Sequence, residues 1–306
     1  MTFLEALTQH SFLQNALLTG LLAALACGIV GTYVVARRIS SIAGSIAHCV
    51  LGGLGAARYL QVVCGWEWFH PLYGALLSAL AAAMVIGLVS LHYRQREDTV
   101  IQAVWAFGMA IGVVFIYKTP GYNEDLMSYL FGNILLVSDN EIRLLIGLDV
   151  IVVLAGLFFH RPLMAVCFDE EFSRLRGLNV EFFTLLLLIL TALTVVVLVN
   201  VVGIVLVIAL LTLPAATSGL FCKTLLGMMA GAVLLCAVVN DLGILLSYQP
   251  NLPSGATIIL LACVIYILAL VMSRLRTVTE VHSKGIYRRD AGKAPAITDA
   301  EVNQQP

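Results

Sequence analysis

Charge is what this chain has least of. Asp, Glu, Lys and Arg together make up 11% of its 306 residues, and they balance to −1 at pH 7. That is too little charge to cover the surface of a water-soluble protein of this length. Without a basic excess there is no electrostatic footprint for phosphates, so nucleic acid is excluded as a partner. Other absences narrow the chemistry. There is no GxxxxGK[ST] phosphate loop, no HExxH and no obvious serine–histidine pairing, which argues against an intramembrane enzyme. The seven cysteines (Cys27, Cys49, Cys64, Cys167, Cys222, Cys236, Cys263) show no CxxC spacing. Most lie inside apolar runs and read as small buried side chains rather than metal ligands or disulfides. No basic residue precedes the first apolar run, which is also too long for a cleavable signal peptide.

What is present is apolar. Hydrophobic residues make up 60% of the chain and the mean hydropathy is +0.98. A helix needs about 20 apolar residues to cross about 30 Å of hydrocarbon. Such runs fall at 13–36, 42–63, 71–91, 99–117, 141–160, 181–199, 203–221, 225–246 and 256–273. A shorter run, Leu126 to Val137, reads as a re-entrant or short outer helix, tolerated where protein shields its backbone ends. The expected fold is an all-α polytopic membrane protein with eight to nine transmembrane helices in one bundle. Residues 1–276 form the membrane domain, and the polar segment 277–306 is expected to be a flexible cytoplasmic tail.

Basic residues orient the bundle. With the N-terminus outside and nine spans, all but Arg58, Lys118 and Arg143 of the 17 basic residues fall on the inner side. The C-terminus is then cytoplasmic.

Polar groups inside a bilayer are costly and each is a functional candidate. His48 lies well inside the second run, with Ser41, Gly44, Ser45, Gly52 and Gly55 around it at helical spacing. The small residues suit close helix packing. An imidazole in lipid needs a partner, which is either a neighbouring carbonyl or hydroxyl, or a passing metal ion such as zinc. Asn240 and Asp241 lie in the eighth run, and Asp241 is the only acid between Glu181 and Glu280. It is either a carboxylate at the headgroup level or one facing the interior. At 1.5 Å per residue, His48 and Asp241 differ in depth by roughly 12 Å, so they are successive stations unless a helix is broken or tilted. Glu67 and His70 sit beside Trp66, Trp68 and Phe69 in an outer loop that reads as an interfacial aromatic anchor. Asn200 and Gly203 separate two apolar runs, and Pro214, which lacks a helical amide, offers a kink that would suit a gate.

The most specific stretch outside the membrane is HRPLMAVCFDEEFSRLRGLNVEFF. Asp169 can cap a short helix, Phe172 and Leu175 give it an apolar ridge at i, i+3, and Gly177 can end it. Together with RRISSIAGSIAHCVLGG, YLFGNILLVS, VVGIVLVIALLTLPAAT and LPSGATIIL, this loop makes the chain resemble the membrane permeases of ATP-binding-cassette importers of zinc, manganese and iron, from about Phe12 to Arg276. The resemblance implies a homodimer of permeases, two separate ATP-hydrolysing subunits and an extracytoplasmic metal-binding protein, working in a bacterial or archaeal cell (inner) membrane. The permease would carry Zn2+, Mn2+ or Fe2+ as cargo, hold no permanent cofactor and catalyse nothing itself. The resemblance makes FDEEFSRLRGL a coupling helix seated in the ATPase, carried by Phe168, Asp169, Glu171, Phe172, Arg174, Leu175 and Gly177. It places His48 on the metal path, with Asp241 and Asn240 as further candidates. Many members have GDxxxH where this chain has AGSIAH, so Gly44 stands in place of a carboxylate. Losing that hard oxygen ligand disfavours manganese relative to zinc. A proton-coupled secondary transporter, or a permease for a chelate such as cobalamin or a siderophore, is the competing reading.

Overall fold

Proline and glycine set several of the breaks in this largely apolar chain. The computed structural model describes residues 11–92, 97–120, 130, 132, 134, 137–248, 250 and 252–291, with backbone alone for 92, 97 and 276–291. In chain order the helices are α1 (Ser11–Ala36), α2 (Ser40–Val63), α3 (Pro71–His92), α4 (Glu97–Lys118), α5 (Asp139–Phe158), α6 (His160–Phe168), α7 (Glu170–Leu175), α8 (Val180–Val202), α9 (Ile204–Gly219), α10 (Leu225–Tyr248) and α11 (Ser254–Ala291). No strand occurs among the described residues.

Seven helices are long and apolar enough to cross a membrane, and α5 with α6 makes an eighth if that bent pair counts as one span. The fifth apolar run therefore ends earlier than its hydropathy suggests, in a 74° bend at Phe159. Pro162 accounts for the bend. In a continuous helix its ring would clash with the carbonyl of Phe158, whereas the first turn of a new helix needs no amide there. Between Gly203 and Gly219 the chain forms a helix of 16 residues. At about 24 Å that is shorter than the hydrocarbon layer. Gly203, at φ +83°, is the break between α8 and α9. Gly132, at φ +65°, packs straight onto the backbone of Val202 and Gly203. A side chain at Gly132 would collide there. Most of the short outer run 126–137 lies outside the described residues, but Ile134 is buried. Within α9 the helix continues through Pro214 without interruption. Residues 277–291, expected as part of the tail, continue α11 as helical backbone, and 292–306 lie outside the described residues.

α1 and α2 are the central spans, with 67% and 78% of their apolar stretch buried, against 17% for α4 and 22% for α11. α2 packs on α4 and α3, while α1 packs on α10, α9 and α5. The two ends of the bundle are distinct. Arg37, Arg38, Asp98, Glu170 and Arg174 surround a cavity of about 340 Å³ at one end. At the other, His70, Ser138, Asn140, Glu141 and Asn200 surround one of about 470 Å³. The loops assigned to the inner side by their basic residues thus meet at one end, and the outer loops at the opposite end.

Candidate metal path and coupling site

The α2–α4 pair is built for backbone contact. Side chains at Gly52 and Gly55 would come within 2.7 Å of the carbonyls of Gly108 and Gly112, so only hydrogen fits. Ser45 Oγ donates to the carbonyl of Ile101 at 3.0 Å, and Cys49 Sγ to that of Val104 at 3.2 Å. Ser45, Gly52 and Gly55 therefore sit in the seam. Gly44 does not: a Cβ there meets nothing within 4 Å, which leaves open space where the family pattern has a carboxylate.

His48 lies on this same helix pair. Its ring stacks on Trp105 of α4 at 4.5 Å between centroids and 14° between planes. Its Nδ1 is buried and has no hydrogen-bond partner among the described residues. A packing histidine normally satisfies that nitrogen, because an unpaired buried polar atom is costly. Stacking fixes the ring plane and leaves Nδ1 without a partner among the described residues.

Asn240 and Asp241 belong to another seam. α10 runs antiparallel to α1, with Gly20 opposite Asn240 and Gly28 opposite Val233. The Asn240 amide, fully buried, donates to the Gly20 carbonyl at 3.0 Å, while its Oδ1 has no partner. Asp241 Oδ1 is also buried and unpartnered, and would touch a Cβ at Gly20 at 3.4 Å. His48 faces α4 and Asp241 faces α1, so the two are not brought into one site. Among the described residues no group of three or more His, Cys, Asp or Glu is placed to hold a metal ion.

Two residues in the membrane were missed from sequence. Trp105 is one. The other is Asp149 in α5, 4% exposed, its carboxylate buried against the backbone of Ala26 and beside Cys27 of α1 with no side-chain partner. An acid eight residues inside the fifth apolar run, beyond the Glu141 that opens it, was the available signal. At the end assigned to the outside by the basic residues, Asn200 lines the cavity beside His70 and Glu141. The His70 ring accepts from the Leu72 amide at Nδ1, and Glu141 is spent on the capping box with Ser138 that starts α5. Trp66 and Trp68 stack on each other at 6.0 Å, with Trp68 largely exposed.

At the opposite end α7 is cut out sharply from the chain. Asp169 caps it by accepting from the Phe172 amide at 2.9 Å. Gly177, at φ +78°, closes it with bonds from Gly177 N to the Arg174 carbonyl and from Leu178 N to the Ser173 carbonyl. Phe168, Glu171, Phe172, Arg174 and Leu175 all face outward. Phe172 is 50% exposed and Leu175 87%. Arg176 lies over the Phe172 ring at 4.8 Å. This six-residue helix thus leaves most of its apolar ridge uncovered among the described residues, open to a partner.

Comparison with known proteins agrees with this layout. Residues 9–273 match the model of the ABC 3 transport family. A Synechocystis membrane protein of uncharacterised function is 40% identical, covering 90% of this chain and 96% of its own length. A manganese transport system membrane protein of Listeria monocytogenes is 34% identical over 88% of this chain and 93% of its own. Among solved structures, PsaBC from Streptococcus pneumoniae in complex with Fab aligns with a TM-score of 0.77 at 30% identity. That match covers 87% of this chain and 94% of the other.

Proposed function

Because this chain belongs to the ABC 3 transport family, and so is the permease subunit of an importer and not an enzyme, we propose that it passes a divalent transition metal ion across a cell membrane, zinc in preference to manganese or iron. ATP hydrolysis belongs to a separate subunit. The further reading is a homodimer of this chain, served by two ATPases and an extracytoplasmic metal-binding protein, with the N-terminus outside and the C-terminus in the cytoplasm. The Listeria relative is named for manganese, so metal-ion import has support from outside the chain, and the choice of metal rests on its own residues.

The observation that carries the reading is His48: a stacked imidazole whose Nδ1 is buried in the membrane without a partner. Imidazole is a good zinc ligand, and manganese prefers carboxylate oxygens. With Gly44 opening onto empty space, no such oxygen stands one helical turn away. Membership of an ATP-driven importer family leaves a proton-coupled secondary transporter without support.

Uptake of radiolabelled zinc and manganese into vesicles, with saturating ATPase and binding protein, tests this. Zinc is expected to be carried in preference, and His48→Ala to lower zinc uptake strongly while the protein stays folded. Gly44→Asp, for which there is room, is expected to move the preference toward manganese. A His48→Ala permease that carries zinc at the wild-type rate would make His48 a packing residue.

A further inference from the structure

A coupling helix is useful only if its movement reaches the spans. α7 is six residues long and its apolar ridge points away from the bundle, so packing alone gives it little hold. One side chain ties it down. Arg37, just past the end of α1, reaches Glu170 in the first turn of α7 with Nη2 to Oε1 at 2.5 Å. The same nitrogen donates to Thr184 Oγ1 of α8 at 2.9 Å. The Arg37 side chain is only 9% exposed. One guanidinium, itself little exposed, therefore joins α1, α7 and α8 on the wall of the cavity at α7's end of the bundle, through charge-assisted bonds.

The surroundings hold that residue in position. α1 ends in a Schellman turn, with bonds from Ile39 N to the Val34 carbonyl and from Arg38 N to the Val35 carbonyl. Its left-handed position is filled by Arg38, at φ 63°, the one non-glycine with positive φ among the described residues. A non-glycine there is strained. The corner nevertheless keeps this geometry, which turns Arg37 inward under α7. One turn earlier, the Tyr33 hydroxyl is bonded to His160 Nδ1 of α6 at 2.9 Å. Tyr33, Leu163, Leu187, Leu225 and Met229 form a separate apolar cluster across α1, α6, α8 and α10. Nη1 of Arg37 is buried without a partner, so the guanidinium has a donor in reserve when α7 shifts.

We propose that Arg37 is the joint through which α7 pulls on the membrane spans, a positioning residue that carries movement of the coupling helix into α1 and α8. This rests on the reading of α7 as the element gripped by the ATPase. α1 is the right recipient. It packs against α10 through Gly20 and Gly28 and against α9 through Gly31, whose missing side chain admits the Leu211 carbonyl. A displacement entering at Arg37 is thus passed up a closely packed helix as far as Asn240 and Asp241.

The test uses the permease assembled with its ATPase and binding protein in vesicles, with metal uptake and ATP hydrolysis measured together. Arg37→Gln is expected to leave the complex assembled and hydrolysing ATP while metal carried per ATP falls about tenfold or more, the scale of one lost charge-assisted bond. Arg37→Glu is expected to be worse, and Arg37→Glu with Glu170→Arg to recover most of the transport ratio, since Thr184 can donate to a carboxylate as readily as it accepts from a guanidinium. A merely structural arginine would change thermal stability and leave the ratio alone. If Arg37→Gln does not assemble, the exchanged pair decides alone: recovery supports the joint, and no gain over either single variant overturns it. An unchanged ratio in Arg37→Gln also overturns it. Failure of the underlying reading looks different, because Phe172→Asp with Leu175→Asp would then leave the ATPase bound.

Discussion

Replacing Phe172 and Leu175 together with aspartate is the sharpest probe of how this permease is driven, because the structure fixes how much each residue has left to give. Fully burying a large apolar side chain is worth about 1.5–3 kcal/mol. Leu175, 87% exposed, keeps nearly all of that for a partner, and Phe172, 50% exposed, keeps about half. Together they offer roughly 2–4 kcal/mol of docking free energy, which is a weakening of roughly 30- to several hundredfold in ATPase affinity when both are removed. The charge placed in an apolar cleft only adds to the loss. The permease itself should be indifferent, since neither side chain belongs to the buried core and the cap at Asp169 is untouched. Affinity of the purified ATPase for the detergent-solubilised permease is the assay, alongside thermal unfolding of the permease alone. Binding within about threefold of wild type, well inside the smallest loss estimated, would refute the coupling assignment. A large drop in unfolding temperature would show that the ridge serves the chain's own fold.

Three further outcomes follow from the geometry. Gly52→Ala should cost about 1–3 kcal/mol by forcing α2 and α4 apart, whereas Gly44→Ala, with nothing within 4 Å of its Cβ, should cost far less; equal shifts in unfolding temperature would refute the packing of that seam. Asp149→Leu keeps the branching at Cγ and removes a buried carboxylate that has no side-chain partner and meets only weakly the backbone of Ala26, so it should raise stability by about 1–3 kcal/mol, and a loss of stability would mean the carboxylate has a stronger partner in the working protein. In a cysteine-free background, a cysteine at Glu67 should react with an impermeant thiol reagent from outside and one at Glu171 only after the membrane is opened; the reverse pattern would overturn the orientation.

Much of the helix order could be read directly, because a run of twenty apolar residues has few alternatives in water or lipid. Average hydropathy is blind to where such a run breaks. It carried the fifth run past Phe159, although Pro162 was the local sign of a new helix, and it treated 203–221 as an ordinary span although Gly203 leaves α9 only 16 residues. The capped and glycine-ended α7 was legible down to single residues, since caps act over three or four positions and leave their mark in the local sequence. Contacts between distant segments left no such mark. Trp105 under His48 and Glu170 on Arg37, 133 residues apart, are products of packing that no local pattern announces. Arg37 itself was visible only as one more basic residue on the inner side.

The polar residues divide according to which helices hold them. His48 belongs to the group α2, α3 and α4, locked by glycine contacts at Gly52, Gly53 and Gly55. Asn240 and Asp241 belong to the group α1, α9 and α10, locked by Gly20, Gly28 and Gly31. α8 packs against members of both, while α1 and α2 touch little beyond their shared corner at Arg37–Ile39. Closely packed groups shift as bodies, because interiors at crystal-like density do not deform continuously. On the proposed joint, a pull arriving through Arg37 enters the group that holds Asp241, while His48, the proposed metal ligand, sits on the other. Relative movement of the two groups would change what His48 faces without disturbing its stack on Trp105, which is what the proposed passage of a weakly held ion requires.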